Sequence, residues 1–134
     1  MRLFCAGPSQ SLKNNRAMNW FLVFLGGGIG SLLRYAISLA LNGKAIMPWG
    51  TVAANLLATS LLAYLIFHFE NTFSEGQRLF WMVGLCGGFS TFSTFSLENW
   101  QLIQSQQYFW LSLNLVVSIG LSLLIFFWWA KVAA

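Results

Sequence analysis

Residues Gly84–Glu98 read GLCGGFSTFSTFSLE. Two adjacent glycines are followed by three rounds of phenylalanine and hydroxyl, inside a stretch that is otherwise oily. Glycine tolerates backbone angles that other residues avoid, so Gly87-Gly88 is expected to break the helix that carries it. A break frees carbonyls on one side and N–H groups on the other. Broken membrane helices persist where they are buried in protein or line a polar cavity, and their free carbonyls can hold a cation such as sodium. Beyond the glycines the pattern has period three. Phe89, Phe92 and Phe95 form one slowly drifting stripe, because residues three apart share a helix face. Ser90, Ser93 and Ser96 form a second stripe, and Thr91 and Thr94 a third. Ring packing and hydroxyls back-bonded to carbonyls one turn earlier would account for a single Ser or Thr. They account poorly for eight alternating positions after a double glycine.

The chemistry fits a small hard anion. Such an ion must replace its water with donors, and Ser and Thr hydroxyls donate. Phenylalanine has a positive ring edge, so two rings turned edge-on can flank an anion without trapping it. Conduction needs sites weak enough to leave, which a lysine would not provide.

The rest of the composition sets the environment. Of the 134 residues, 57% are hydrophobic and 7% charged, and the mean hydropathy is +0.67. Soluble domains carry about 25% charged residues, so the chain is expected to be an integral membrane protein of one domain. The formal net charge is +4, but Arg2, Lys13 and Arg16 supply three of the seven basic residues from the first 16 positions. No clustered basic face is present, which argues against nucleic acid. Cys5 and Cys86 are the two cysteines and His68 the single histidine, too few for a metal cluster or a nucleophile–base pair, so no enzyme is expected.

Four apolar spans follow a polar segment. Residues 1–17 hold turn formers and no apolar core of a signal peptide; they are expected to be a disordered tail, with Met18 a second possible start. The channel-like domain covers 18–134. Its spans are expected at about 20–41, 51–69, 79–100 and 108–130, each near the ~20 residues that cross a bilayer as a helix. The tryptophans fall at or near span ends, where amphipathic rings prefer the headgroup level. The expected fold is therefore all-α, with four transmembrane helices. With Met18 as start, Arg78 and Lys131 lie on one side and Lys44 on the other. This near tie under the positive-inside rule allows insertion both ways and an antiparallel dual-topology homodimer; a fixed orientation with weak signals is the alternative. A chain this small places only a few helices, too few to enclose a large cavity alone, which also favours an oligomer.

Other polar residues in the spans have two readings each. Gly26-Gly27-Gly28-Ile29-Gly30 lacks a preceding strand and a following Lys-Ser/Thr, so it suits close helix packing rather than nucleotide binding. Arg34 either snorkels to the interface or draws anions into a vestibule. Asn55 offers two N–H donors without a full charge, or an interhelical hydrogen bond. Glu98 marks a pore mouth or is interfacial. Ser118 and Ser122 share a face with Asn114, as a polar track or as helix–helix glue.

Taken together, GGGIGSLLRY, PWGTVAANLLA and GLCGGFSTFSTFSLE resemble the CrcB/Fluc fluoride channels from Met18 to about Ala130. The resemblance implies a multi-pass protein of the cell inner (plasma) membrane that exports fluoride passively and lowers its toxicity. It implies an antiparallel homodimer with two fluoride pores and a structural sodium ion at its centre. By motif, the carbonyls of Gly87 and Ser90 would hold sodium. Phe92, Phe95 and Asn55 would line the pore. Ser93, Thr94 and Ser96 would belong to the third-helix track, and Ser118 and Ser122 to the fourth. Arg34 and Glu98 match charged positions of the family. Ser90 stands where threonine is common, Ala58 where glycine is frequent, and Asn114 where some members have tyrosine. Two readings compete. A small four-helix multidrug-type exporter needs a carboxylate in its first span, and none is there. A non-transporting membrane assembly subunit would need neither the break nor the hydroxyl ladder.

Overall fold

The computed structural model describes residues 16–41 and 46–133. The regular secondary structure of these residues is entirely helical. Helix α1 (Arg16–Leu41) has 26 residues and α2 (Trp49–Phe69) has 21. At 1.5 Å per residue these are about 39 and 32 Å long, enough to cross a bilayer. The third crossing starts with a short α3 (Glu75–Arg78), continues as a π-helical segment (Leu79–Cys86) and ends in one turn, α4 (Gly87–Phe89). After an extended pair, Ser90-Thr91, the chain resumes as α5 (Phe92–Gln104). The fourth crossing comprises α6 (Tyr108–Leu115), a π-helical turn (Val116–Gly120) and α7 (Leu121–Ala133). Among the described residues, three segments are long and apolar enough to span a membrane unbroken: Arg16–Leu41, Trp49–Phe69 and Tyr108–Ala133. The third crossing falls short of that measure because it is interrupted.

Two expectations are corrected. Helix α1 already includes Arg16 and Ala17, which the sequence had placed in the tail; residues 1–15, with Arg2, Cys5 and Lys13, lie outside the described residues, as does Lys44. More consequentially, the break is not at Gly87-Gly88. Gly87 has helical angles (φ −65°, ψ −37°). The chain opens at Ser90 (φ −76°, ψ 154°) and Thr91 (φ −148°, ψ 118°). The break also divides the period-three stripe. Phe89 stays with α4 and packs on Ala54, Ala58 and Ile37, while Phe92 and Phe95 start α5.

The glycines instead bring α1 and the third crossing into backbone contact. A Cβ on Gly26 would meet the Phe80 carbonyl and lie 2.9 Å from the Leu85 nitrogen. One on Gly30 would lie 2.7 Å from the Phe89 nitrogen, and one on Gly88 2.9 Å from Gly27 Cα. Small residues at such crossings are how membrane helices gain dispersion contacts when hydrophobic expulsion from water is absent. A second buried cluster, Leu65 with Met82, Leu85 and Cys86, joins α2 to the same crossing. Large apolar side chains such as Phe24 and Phe127 face outward, as lipid solvent permits.

The ends of the third crossing have local causes. Ser74 and Gln77 form a capping box that starts α3: Ser74 N–H donates to Gln77 Oε1 at 2.9 Å, and Gln77 N–H donates to Ser74 Oγ at 3.4 Å. At the far end, Gln107 N–H donates to the Leu102 carbonyl and Gln106 N–H to that of Ile103. This is a Schellman closure, with Gln106 at φ 57° where glycine is usual. It folds α6 back along α5, so that residues 15 apart in sequence can meet.

Candidate anion site at the helix break

Breaking a helix within a membrane leaves backbone groups that water cannot satisfy. Here one side chain satisfies both groups of the residue at the gap. Thr91 N–H donates to Asn55 Oδ1 at 2.7 Å, and Asn55 Nδ2 donates to the Thr91 carbonyl at 3.3 Å. The Thr91 hydroxyl then starts the next helix by accepting from Thr94 N–H at 3.3 Å. It also donates to Thr94 Oγ1 at 3.1 Å. A Thr N-cap of this kind satisfies one of the orphan donors of a first turn. The break thus lies where α2 presents an amide and the chain supplies a cap.

On the other side of the gap, the Gly88 carbonyl accepts from Arg34 Nε at 3.3 Å and from Ser31 Oγ at 3.5 Å. Arg34 therefore serves the end of α4, which carries negative partial charge. The N–H that would close the next turn onto Gly87 is that of Thr91, and it is engaged by Asn55.

The gap opens into a cavity of about 310 Å³ lined by Asn55, Thr59, Ser90, Thr91, Phe92, Phe95, Ser118, Ile119, Ser122 and Leu123. Asn55, Phe92, Phe95, Ser118 and Ser122 were expected to share a pore, and they share this space. The two rings stand 6.0 Å apart between centroids with planes at 43°. Phe95 is 7% exposed and Phe92 79%, so the Phe92 wall is open in a single chain. Thr59 donates to the Asn55 carbonyl at 2.7 Å and Ser122 to the Ser118 carbonyl at 2.6 Å. Both are back-bonds along a helix.

Other expected members lie elsewhere. Ser93 and Ser96 are exposed on α5 and Thr94 is engaged with Thr91; none lines the cavity. Glu98 Oε1 accepts from Thr51 Oγ1 at 2.5 Å, and Glu98 Oε2 is buried without a hydrogen-bond partner. Glu98 lines a separate cavity, with Ile46, Met47, Pro48, Gln101, Leu102 and Ser105. Ser90, expected through its carbonyl, also lines the main cavity.

Sequence reasoning missed several partners. Thr51 as the partner of Glu98, Thr59 in the cavity wall, and Thr91 as clamp and cap are three. A fourth is Asn99, whose Oδ1 accepts from Asn114 Nδ2 at 2.8 Å. The signal available was a polar side chain in an apolar span, which Asn99 and Thr51 both are; their pairing depends on how helices cross.

Comparison with known proteins identifies the family of the chain. Residues 21–130 match the family described as CrcB-like protein, Camphor Resistance (CrcB). The chain is 44% identical over 94 residues to a protein named fluoride-specific ion channel FluC from Phocaeicola vulgatus, covering 65% of this chain and 74% of that one. It is 42% identical over 103 residues to the protein of that name from Azobacteroides pseudotrichonymphae, covering 74% and 82%. The Serratia proteamaculans protein of that name is 42% identical over 104 residues, covering 75% and 82%. These relatives are named as channels, not as enzymes.

Proposed function

The chain belongs to the CrcB-like family, and from that premise we propose that it is a fluoride channel that exports the ion passively from the cell. The observation that carries the reading is the single cavity that unites Asn55, Phe92, Phe95, Ser118 and Ser122 beside the break. An entering anion sheds water and meets three kinds of positive partner there. Asn55 uses one N–H on the Thr91 carbonyl, and an amide carries two, so a second is left for the ion. Phe92 and Phe95 offer ring edges. The 13-residue α5 begins at the cavity, and its N-terminus carries positive partial charge. Each is an uncharged or partial donor, which suits entry and exit better than a full cation.

The working unit in this reading is an antiparallel dual-topology homodimer in the plasma membrane. Ser96 exposes its hydroxyl in a span where lipid offers no partner, Ser93 is exposed with its hydroxyl 3.2 Å from Thr91 Oγ1, and Phe92 leaves its wall open. A second copy would cover all three. Sodium would be structural, held by the Gly87 and Ser90 carbonyls. The residues fit: Gly87 is exposed and its turn is left unclosed by the Asn55–Thr91 bond. The Gly88 carbonyl, by contrast, is already used by Ser31 and Arg34. The ion would supply positive charge to balance carbonyl ends at the dimer centre.

The test is anion efflux from liposomes holding the purified protein, read with fluoride and chloride electrodes in parallel. Fast fluoride loss with negligible chloride loss is expected. Fluoride retention by well-reconstituted protein would overturn the reading and favour a non-transporting assembly subunit.

A further inference from the structure

Behind the cavity wall lies a buried asparagine pair that the channel reading does not use. Asn114 is 0% exposed and Asn99 8%, and neither lines the cavity. Asn114 Nδ2 donates to Asn99 Oδ1 at 2.8 Å, and Ser118 Oγ donates to Asn114 Oδ1 at 3.2 Å. An amide oxygen only accepts and an amide nitrogen only donates. With Asn99 presenting Oδ1 to Asn114 Nδ2, it is Asn114 Oδ1 that faces Ser118 and accepts its single proton. That proton points away from the cavity, into the protein. Ser122 likewise donates to a carbonyl. The fourth-helix hydroxyls thus show lone pairs to the cavity, which repel an anion unless the hydroxyl turns.

We propose that Asn114, oriented by Asn99, is a positioning residue that sets anion affinity by competing with the ion for the Ser118 proton. The inference rests on the channel reading. An anion gains Ser118 as a donor only by displacing Asn114 Oδ1. Its binding is weakened by that lost bond, and its release is helped by the same bond reforming. Weak sites favour throughput, so the buried pair keeps the site from becoming a trap. Asn99 acts at one remove: without it, the Asn114 amide can turn its Nδ2 toward Ser118 and free the hydroxyl to donate into the cavity.

The experiment titrates the thermal midpoint of the purified protein with fluoride at constant ionic strength, with chloride as the replacement salt, because a ligand at concentration L that binds the folded form stabilises it by RT ln(1 + L/Kd). Efflux is measured in parallel. The variants are Asn114→Leu, Asn99→Leu and the double variant, with Asn99→Ser as the milder change should a leucine variant fail to fold. The apparent fluoride affinity should tighten by about two- to tenfold, the value of one hydrogen bond, with slower efflux at high fluoride. The double variant should not exceed Asn114→Leu, since both act through one hydroxyl. A merely structural pair would lower the baseline midpoint and leave its fluoride dependence unchanged, which would overturn the proposal. If the wild type neither releases fluoride nor responds to it, the channel reading itself fails and takes this one with it.

Discussion

Asn55 holds Thr91 at two points, accepting from its N–H at 2.7 Å and donating to its carbonyl at 3.3 Å. A residue on one crossing thereby completes the backbone of another. Removing it should affect both folding and conduction. Asn55→Ala leaves the two Thr91 groups without partners, and each buried unsatisfied group costs about 1–3 kcal/mol. Thermal unfolding should show a lower midpoint, and liposome efflux should show loss of fluoride throughput. A variant with wild-type stability would mean that the clamp is not needed at the gap.

The two cavity phenylalanines should separate stability from throughput. Phe95 is 7% exposed and Phe92 79%. Truncating a buried ring costs about 3–5 kcal/mol, so Phe95→Ala should lower the unfolding midpoint sharply. Phe92→Ile alters a ring that its own chain leaves uncovered, so it should lower the midpoint less than Phe95→Ala and still reduce fluoride efflux. Equal destabilisation by the two would contradict their different burial.

Glycines of α1 and α4 should differ according to what faces them. Gly30→Ala and Gly88→Ala place a methyl against backbone atoms, and overpacking costs about 1–3 kcal/mol. A Cβ on Gly28 meets nothing within 4 Å, so Gly28→Ala should be neutral or slightly stabilising, alanine being the better helix former by about 1 kcal/mol. Yield and midpoint of the three variants in one detergent would check the order.

The Thr51–Glu98 bond makes a sharper prediction than either residue alone. Thr51 is 1% exposed and supplies the hydroxyl that Glu98 Oε1 accepts. Thr51→Val keeps the shape and removes the donor, which should destabilise by about 1–3 kcal/mol. Thr51→Ser, which keeps the hydroxyl, should recover most of that loss in the same unfolding measurement.

Replacing sodium with a large organic cation during purification should weaken the dimer or its activity, as read by light scattering and efflux. An unchanged dimer with unchanged efflux would sink the central sodium site.

Much of this was legible in the chain because it follows from solvent. Four apolar stretches, scarce charge and tryptophans at the span ends identify a helical membrane protein whatever its packing, since lipid leaves a spanning backbone few ways to satisfy itself. The residues that meet in the cavity were also legible, through GLCGGFSTFSTFSLE and the asparagine of PWGTVAANLLA. The place of the break was not. Gly87-Gly88 is the more flexible pair, yet flexibility permits a break without requiring one. Gly88 packs in close approach to Gly27 of α1 within the helical turn, while the Asn55 amide and the Thr91 hydroxyl make the opening affordable two residues later. The Asn99–Asn114 and Thr51–Glu98 pairs were hidden for the same reason. They join residues 15 and 47 apart, and only the crossing of helices brings such side chains within reach. Sequence determined the solvent and the number of crossings; tertiary contact decided which polar groups find each other, because a buried hydrogen bond depends on distances that a linear pattern does not contain.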